Sequence, residues 1–266
     1  MSKQTGLLRM KGRLGGLSFY KSGNVDIVRV ANGPSKERIA SEPNFARTRE
    51  NNAEFGGCST VVKALRHAIG EARQPKGSAG SVIQRLMPII KRINLNGIGA
   101  RGQRSIELLA NGALLEGFEL HEPNAFASVF CAPFSMAAGA GRNAASITVP
   151  SFLPSAFVSA PGGATHFEVF SILCTLSDYQ YDAIAGRYVP SDAALNMLRA
   201  EAASAVTSLS ATGAVAFTLN PVLAGAPALT GSVAAVLLMG VVFYQRVGVV
   251  DCLLLQGNCL RVVGVF

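Results

Sequence analysis

VAAVLLMGVVFY, residues 233–244, is the longest unbroken apolar run within a segment, 202–245, that carries no charged side chain. Pro221, Pro227 and several glycines interrupt the part of this segment that precedes the run. A helix needs about 20 apolar residues to cross a bilayer, so the run is too short for a membrane span. Runs rich in Val, Phe and Tyr that are bounded by Pro and Gly are typical of strands. We therefore predict a β-strand here and no membrane-spanning segment.

Further segments on both sides of this run show the same strand character, and clusters of Pro, Gly, Ser and Asn separate them. They are residues 114–120, 146–149, 165–176, 214–219, 249–255 and 260–265. Strands with such breaks are typical of an antiparallel β-sandwich, either jelly-roll-like or Ig-like. One helix is predicted among them, over 191–205, because Ser191 and Asp192 can cap an alanine-rich run.

The N-terminal part of the chain shows a different periodicity. Short alternating segments over 6–30, broken by glycines, predict a strand pair with a turn at 22–24. Helical spacing then predicts a helix over 41–55 and a second from about 59 to the breaker segment 74–78. A third helix is predicted over 80–93, kinked or interrupted at Pro88, and a short helical piece over 103–110.

These patterns together predict an α+β protein. An N-terminal strand pair and a helical region should precede an antiparallel β-sandwich. We expect three parts: a basic N-terminal arm with the strand pair, a helical region and a β-sandwich domain. Their predicted limits are 1–34, 35–112 and 113–266.

Charge is divided unevenly along the chain. Residues 1–104 contain 19 Lys or Arg and 6 Asp or Glu, whereas residues 105–266 contain 5 and 10, giving net charges of +13 and −5. This partition suggests two surfaces with different partners, or one surface made to meet the other in a neighbouring copy. A solvated basic domain beside a neutral one is the plainer alternative. Charged residues make up only 15% of the chain, so much of the surface must be neutral or hidden against neighbours, and we expect a homo-oligomer.

We find no motif in the sequence that supports catalysis, a metal site or a cofactor. Residues 97–102, GIGARG, match the dinucleotide-binding pattern letter by letter. That pattern requires a preceding strand, and a helix is predicted here instead, so we interpret the segment as a flexible inter-domain connector. The five cysteines lie far apart and are expected to be small buried apolar residues.

We predict structural roles, and not catalytic or metal-binding ones, for the polar residues in the strands and turns. His121 with Glu122, and His166 with Glu168, are predicted to be cross-strand hydrogen-bonding residues. Asp178, Asp182 and Asp192 match no calcium-loop spacing and are interpreted as turn residues.

The basic residues of the N-terminal part are the one functional candidate with a physical mechanism. Because they are interleaved with Phe19 and Tyr20, they could neutralise phosphates while the rings stack on bases. They could equally dock on the acidic half of an adjacent subunit, and the complementary charge favours docking. The candidate contact residues are Lys3, Arg9, Lys11, Arg13, Lys21, Arg47 and Arg49.

Two blocks of the sequence resemble a family of uncharacterised proteins from Bacteroidota. The first comprises residues 8–21, LRMKGRLGGLSFYK, and 45–56, FARTRENNAEFG; the second comprises 163–167, GATHF, and 240–245, GVVFYQ. The resemblance implies a source group and a shared architecture, but no activity or site residue. Such relatives have a polar, asparagine-containing turn where this chain has RVGVV, residues 246–250. The last hairpin is therefore more apolar here, which fits burial between subunits.

We therefore expect a non-enzymatic, self-assembling structural subunit of a virion, tail-like particle or filament, with a basic N-terminal arm that docks on neighbouring subunits. A ligand- or carbohydrate-binding β-sandwich module and a nucleic-acid-binding accessory protein are the alternatives. The N-terminus has no apolar core of a Sec signal peptide, so we expect synthesis in the cytoplasm and incorporation into a virion or another assembled particle.

Overall fold

The computed structural model describes residues 2–6, 9–30, 33–70, 79–121 and 124–266. The chain divides into two compact units, Met1–Arg49 and Glu50–Phe266. A compact unit is not the same property as an independently folding domain, so the predicted domain limits stay predictions. The predicted breaker segment 74–78 and Glu122 lie outside the described residues.

Four short strands form an antiparallel sheet in the described part of the N-terminal unit. They are β1 Ser2–Lys3, β2 Gly12–Leu14, β3 Leu17–Ser22 and β4 Val25–Val30, in the order β1-β4-β3-β2. Strands β3 and β4 meet in a tight turn at Gly23 and Asn24, where Gly23 has a φ of +59° that a side chain would strain. The predicted strand pair is confirmed, and β1 and β2 extend it on either side.

Helices α1, Lys36–Ser41, and α2, Ala46–Ile69, follow and are separated by a 3-10 turn at Pro43–Phe45. The prediction of two helices that part near residue 56 is wrong, because α2 continues through Gly56 and Gly57. Gly57 serves packing, since a Cβ there would lie 2.5 Å from Cδ2 of the Tyr188 ring. Helix α3, Ala79–Asn96, likewise continues through Pro88.

The rest of the second unit consists mainly of strands, joined by the short helices α4 Phe126–Val129 and α5 Pro154–Phe157. The strands are β5 Ser135–Ala138, β6 Ala145–Phe152, β7 His166–Ser177, β8 Tyr179–Asp182, β9 Arg187–Pro190, β10 Arg199–Ala203, β11 Thr207–Ser208, β12 Val215–Leu219, β13 Val233–Val247, β14 Val250–Leu253 and β15 Cys259–Val265.

Strands β7 and β13 form the centre of a six-stranded sheet. They pair antiparallel from Ser177 opposite Val233 to His166 opposite Tyr244. Strands β10 and β11 pair with the other edge of β7, and β14 and β15 with the other edge of β13. Strands β12, β6 and β5 form a separate three-stranded sheet, and β8 and β9 form a hairpin.

The two central strands of the six-stranded sheet, β7 and most of β13, are buried on both faces. Successive side chains of a strand point to opposite faces, and both sets are mainly apolar here. Ile172 of β7 belongs to a core with Leu65 of α2 and with residues of α3. Its neighbour Leu173 belongs to a second core with Ile147 of the three-stranded sheet. Helices, the six-stranded sheet and the three-stranded sheet therefore form three layers, which confirms an α+β fold with a β-sandwich.

The helix predicted over 191–205 is wrong, because this stretch contains a loop followed by β10. Asp192 does start a turn, since its Oδ1 accepts a hydrogen bond from Leu195 N at 3.1 Å. The following residues bind to β7 and not into a helix. Thr175 Oγ1 of β7 donates to Leu195 O at 2.5 Å, and β10 pairs with β7 from Arg199 onward. Alanine favours a helix only locally, whereas the edge of a buried strand holds backbone groups that need partners.

Two further predictions of secondary structure are wrong. Residues 103–110 form turns and not a helix, and Ile106 pairs with Tyr179 at a single bridge. Residues 114–120 follow a 3-10 turn, Gly112–Leu114, and are irregular instead of forming a strand, although Gly117 N donates to Val262 O of β15 at 2.9 Å. The conformation of both segments depends on hydrogen bonds to residues far away in the sequence, and the local sequence pattern does not reveal these bonds.

A buried carboxylate joins α2, α3 and the connector that follows α3. Glu54 of α2 accepts hydrogen bonds from Arg104 Nε at 2.8 Å, from Gly102 N at 2.8 Å and from Lys91 Nζ of α3 at 2.5 Å, and it is fully buried. Burial alone would raise the pKa of Glu54, but the hydrogen bonds from Arg104, Lys91 and Gly102 outweigh it and lower the pKa from 4.5 to about 2. Glu54 is therefore ionised at neutral pH.

Residues 97–102, the GIGARG segment, belong to this connector. Both ends of the segment lie in the second compact unit, and its interpretation as a flexible inter-domain connector stays a prediction. Gly97 is needed because a Cβ there would lie 1.9 Å from Ser105 O. Gly102 N donates to a carboxylate of the protein itself, whereas the N–H groups of a dinucleotide-binding loop face a pyrophosphate.

Replacing Glu54 should destabilise the second unit strongly. We expect Glu54→Gln to lower the free energy of unfolding by about 3 kcal/mol, because Arg104 and Lys91 would keep their charges without the carboxylate. The pKa of Glu54 is lower in the folded protein than its ordinary value. The stabilisation is therefore fully present above about pH 4.5 and is lost as the pH falls toward 2. Urea unfolding at pH 7 and at pH 3 measures both effects.

Glu50→Gln is the matched control for this variant. Glu50 lies one turn earlier on α2, is partly exposed and is paired with Arg101 at 3.5 Å. An exposed pair contributes about 0.2–1 kcal/mol, so this variant should unfold almost like the parent. Equal losses of stability in the two variants would contradict the role assigned to Glu54.

Candidate interaction surfaces

The sheet of the N-terminal unit has two chemically different faces. Paired residues of antiparallel strands share a face, and alternate residues of a strand lie on opposite faces. One face carries Leu14, Leu17, Phe19, Val28 and Val30. Leu14 is 64% exposed and Val30 59% exposed. We call this side of the sheet the apolar face.

The opposite side, which we call the basic face, carries Lys3, Arg13 and Arg29 together with Tyr20. Arg13 of β2 pairs with Ser18 of β3, which pairs with Arg29 of β4. The two arginines are therefore two strand spacings apart, about 10 Å. The Arg29 guanidinium lies over the Tyr20 ring, 5.4 Å from its centre. The strand residues described on this face include no carboxylate.

Two of the candidate contact residues, Arg9 and Lys21, lie away from the basic face. Arg9 Nη1 lies 2.7 Å from Oδ2 of Asp26, whose side chain is nearly buried. Lys21 is on the other side of the sheet, where it pairs with Asp26 across β3 and β4. The structure thus places Lys3 and Arg13 on one face and separates Arg9 and Lys21 from them. Lys11 is exposed and precedes β2.

Arg47 and Arg49 lie in the first turn of α2. Arg49 Nη1 donates to Ile39 O at 2.8 Å and to Glu42 O at 2.9 Å, so it connects the end of α1 to α2. Arg29 was not among the candidate contacts, yet it belongs to the basic face. The turn at Gly23 and Asn24 was the available signal, because a tight turn there fixes the register that places Arg29 opposite Ser18.

The second unit exposes apolar residues on a hairpin that we call the hairpin arm, residues 245–255. Pairing of β13 with β7 ends at Tyr244, while β13 continues to Val247 and returns through β14. Val249 in the turn is 97% exposed. The other exposed apolar residues of the arm are Val247, Val250, Leu253 and Leu255.

The pairing register of β13 and β14 also places the residues of the hairpin arm on two different sides. Val247 and Val250 pair with each other and lie on the side that, nearer the sheet centre, carries the buried Val241 and Phe243. Arg246 and Asp251 pair on the other side, where Arg246 Nε lies 2.6 Å from Asp251 Oδ1. This hydrogen bond from Arg246 lowers the pKa of Asp251. Beyond the exposed Gln245, the arm thus carries further apolar residues on this side out into solvent.

A shallow cavity of about 290 Å³ adjoins the base of the hairpin arm. Its lining residues are Gly162, Leu253, Leu254, Leu255 and Gln256. The arm therefore carries an exposed apolar tip and an apolar recess on the same short segment. The tip protrudes and the recess is concave, and both are apolar, so they are chemically suited to contact each other.

The polar residues predicted to bond across strands differ in their partners. Tyr244 OH of β13 donates to Glu168 Oε2 of β7 at 2.5 Å, whereas His166 Nδ1 lies 2.9 Å from Oγ1 of its sequence neighbour Thr165, and the buried His121 Nδ1 has no hydrogen-bond partner among the described residues. Burial lowers the pKa of His121 to about 4, which leaves its ring neutral at pH 7. Burial also raises the pKa of Glu119, whose Oε1 accepts a hydrogen bond from Phe126 N.

The predicted burial of the cysteines is right for three of the five. Cys58, Cys174 and Cys259 are buried, whereas Cys131 and Cys252 are exposed. Burial raises the pKa of the Cys58 thiol to about 11. Among the described residues, no three His, Cys, Asp or Glu side chains are grouped so that they could hold a metal ion. No helix within the described ranges is long and apolar enough to cross a bilayer.

Comparisons with known proteins give no match. No family model fits the chain, and neither a curated protein nor a solved structure is similar to it. The resemblance to the Bacteroidota proteins therefore stays a prediction.

Proposed function

We propose that the protein is a self-assembling structural subunit of a larger particle or filament, such as a virion or tail-like structure. The observation that carries this proposal is the hairpin arm, whose tip exposes Val247, Val249 and Val250 to water. Exposed apolar residues clustered on one element are typical of a protein–protein contact. The low share of charged residues, 15%, supports the same function.

The partner of the hairpin arm is a second copy of the chain. The arm holds both an apolar tip, at Val249, and an apolar recess, lined by Leu253 and Leu255. Two copies can therefore place the tip of one in the recess of the other in a reciprocal contact, and an assembly built this way uses the same surface twice. A reciprocal contact of this kind closes a dimer. A head-to-tail contact, in which each copy places its tip in the recess of the next, would form a ring where the rotation closes and a filament where it does not.

The N-terminal unit adds a second contact with neighbouring subunits through its apolar face. Leu14, Leu17 and Val30 are exposed there and would be covered by an adjacent copy. This keeps the expected docking role of the N-terminal arm. It assigns that role to apolar residues and not to the basic ones.

A charge at the tip of the hairpin arm should weaken assembly. Burying one Val side chain contributes about 1.5–3 kcal/mol, so Val249→Asp should raise the Kd for self-association at least about tenfold. Because Val249 is 97% exposed, the fold of the subunit should be unchanged. Sedimentation velocity at micromolar concentration, with a thermal melt of each variant, measures both properties.

Ile184→Asp is the matched control for that variant. Ile184 is fully exposed in the turn between β8 and β9, so the same change is made at the tip of a different hairpin. This variant should assemble like the parent. Two results would contradict the proposal: a parent protein that sediments as a monomer, or equal losses of assembly in the two variants.

Deleting residues 1–30 should separate folding from assembly. The second unit has its own cores, so the truncated protein should keep a cooperative melt. Its assemblies should be smaller or weaker, because the apolar face is removed. Light scattering compares the size of the assemblies, and truncated protein that assembles to full size would show that the apolar face has no docking role.

A further inference from the structure

The carboxylates of the acidic half of the chain have hydrogen-bond or ion-pair partners within the second unit. Each Asp or Glu described in residues 105–266 already accepts a hydrogen bond or forms an ion pair within the second unit. These side chains are Glu107, Glu116, Glu119, Glu168, Asp178, Asp182, Asp192, Glu201 and Asp251. Glu119, Glu201 and Asp251 pair with arginines of the same unit, so these three would give up an existing partner to bind a cation of a neighbouring subunit.

The cations of the basic face are in the opposite situation. Lys3, Arg13 and Arg29 form no ion pair with any residue that the structure describes, and their strands are exposed at these positions. The face therefore presents positive charge on three of its four strands, β1, β2 and β4, with an aromatic ring on the fourth, β3. Such a surface needs anions from outside the chain.

We propose that the basic face binds single-stranded nucleic acid. Lys3, Arg13 and Arg29 contact successive regions of the phosphate backbone, and an unstacked base lies against the pair formed by Tyr20 and Arg29. A flat, exposed sheet with an aromatic residue suits splayed bases, whereas the bases of a duplex are stacked inside it and cannot reach the ring. This binding goes beyond the proposed assembly and does not require it.

Fluorescence anisotropy with labelled oligo(dT) and oligo(U) of about 20 nucleotides tests the proposal on the full chain. Three phosphate contacts predict that log affinity falls with log salt at a slope of about −2 between about 50 and 500 mM NaCl. The variant K3Q/R13Q/R29Q should bind on the order of 100-fold more weakly at about 50 mM salt, and its slope should approach zero. The two oligonucleotides show whether the ribose hydroxyl contributes.

The matched control is K21Q/K36Q/K63Q, which removes the same charge from exposed lysines that do not belong to the basic face. It should bind like the parent, and thermal melts and sedimentation should show that both triple variants stay folded and keep the oligomeric state of the parent. The proposal is overturned if the two triple variants lose affinity equally, or if the parent does not bind the oligonucleotides. It is also overturned if a duplex, or polyglutamate of equal charge, binds as tightly as the single strands.

Discussion

The pairing of β7 with β13 is the interaction on which the second unit depends. From His166 opposite Tyr244 to Ser177 opposite Val233, the two strands pair without a break, and apolar side chains point to both faces. A sheet that is apolar on both sides cannot face water on either side. Helices α2 and α3 cover one face, and β12, β6 and β5 cover the other, so the three layers follow from this one pair of strands.

Polar groups inside the second unit are used to hold connections in place. Glu54 fixes the connector after α3, Thr175 fixes the loop before β10, and the guanidinium of Arg142 donates to the carbonyl oxygens of Thr230 and Val233. A buried donor or acceptor without a partner costs free energy, so these side chains determine where irregular chain can lie.

Two exposed surfaces are found where strands are not covered by another layer of the protein. The hairpin arm carries the apolar row of β13 past the end of β7, and the N-terminal sheet exposes an apolar face and a basic face. Apolar and basic residues alternate along β2, β3 and β4, which mixes them in the sequence and separates them in space. One sheet can therefore serve subunit contact on one side and a polyanion on the other.

The sequence alone determined the larger strands, the tight turn at Gly23, the helical spacing of α3 and the division of charge, because these depend on local periodicity and turn chemistry. Tertiary structure alone decided the rest. Residues 191–205 form a loop and a strand because the edge of β7 is available for pairing. Position 57 needs a glycine within α2 because the Tyr188 ring fills the space that a side chain would take. Arg9 and Arg13 look alike in the sequence, but only Arg9 finds a carboxylate, that of Asp26. Which neighbour a residue meets depends on contacts between distant segments, and no local pattern records them.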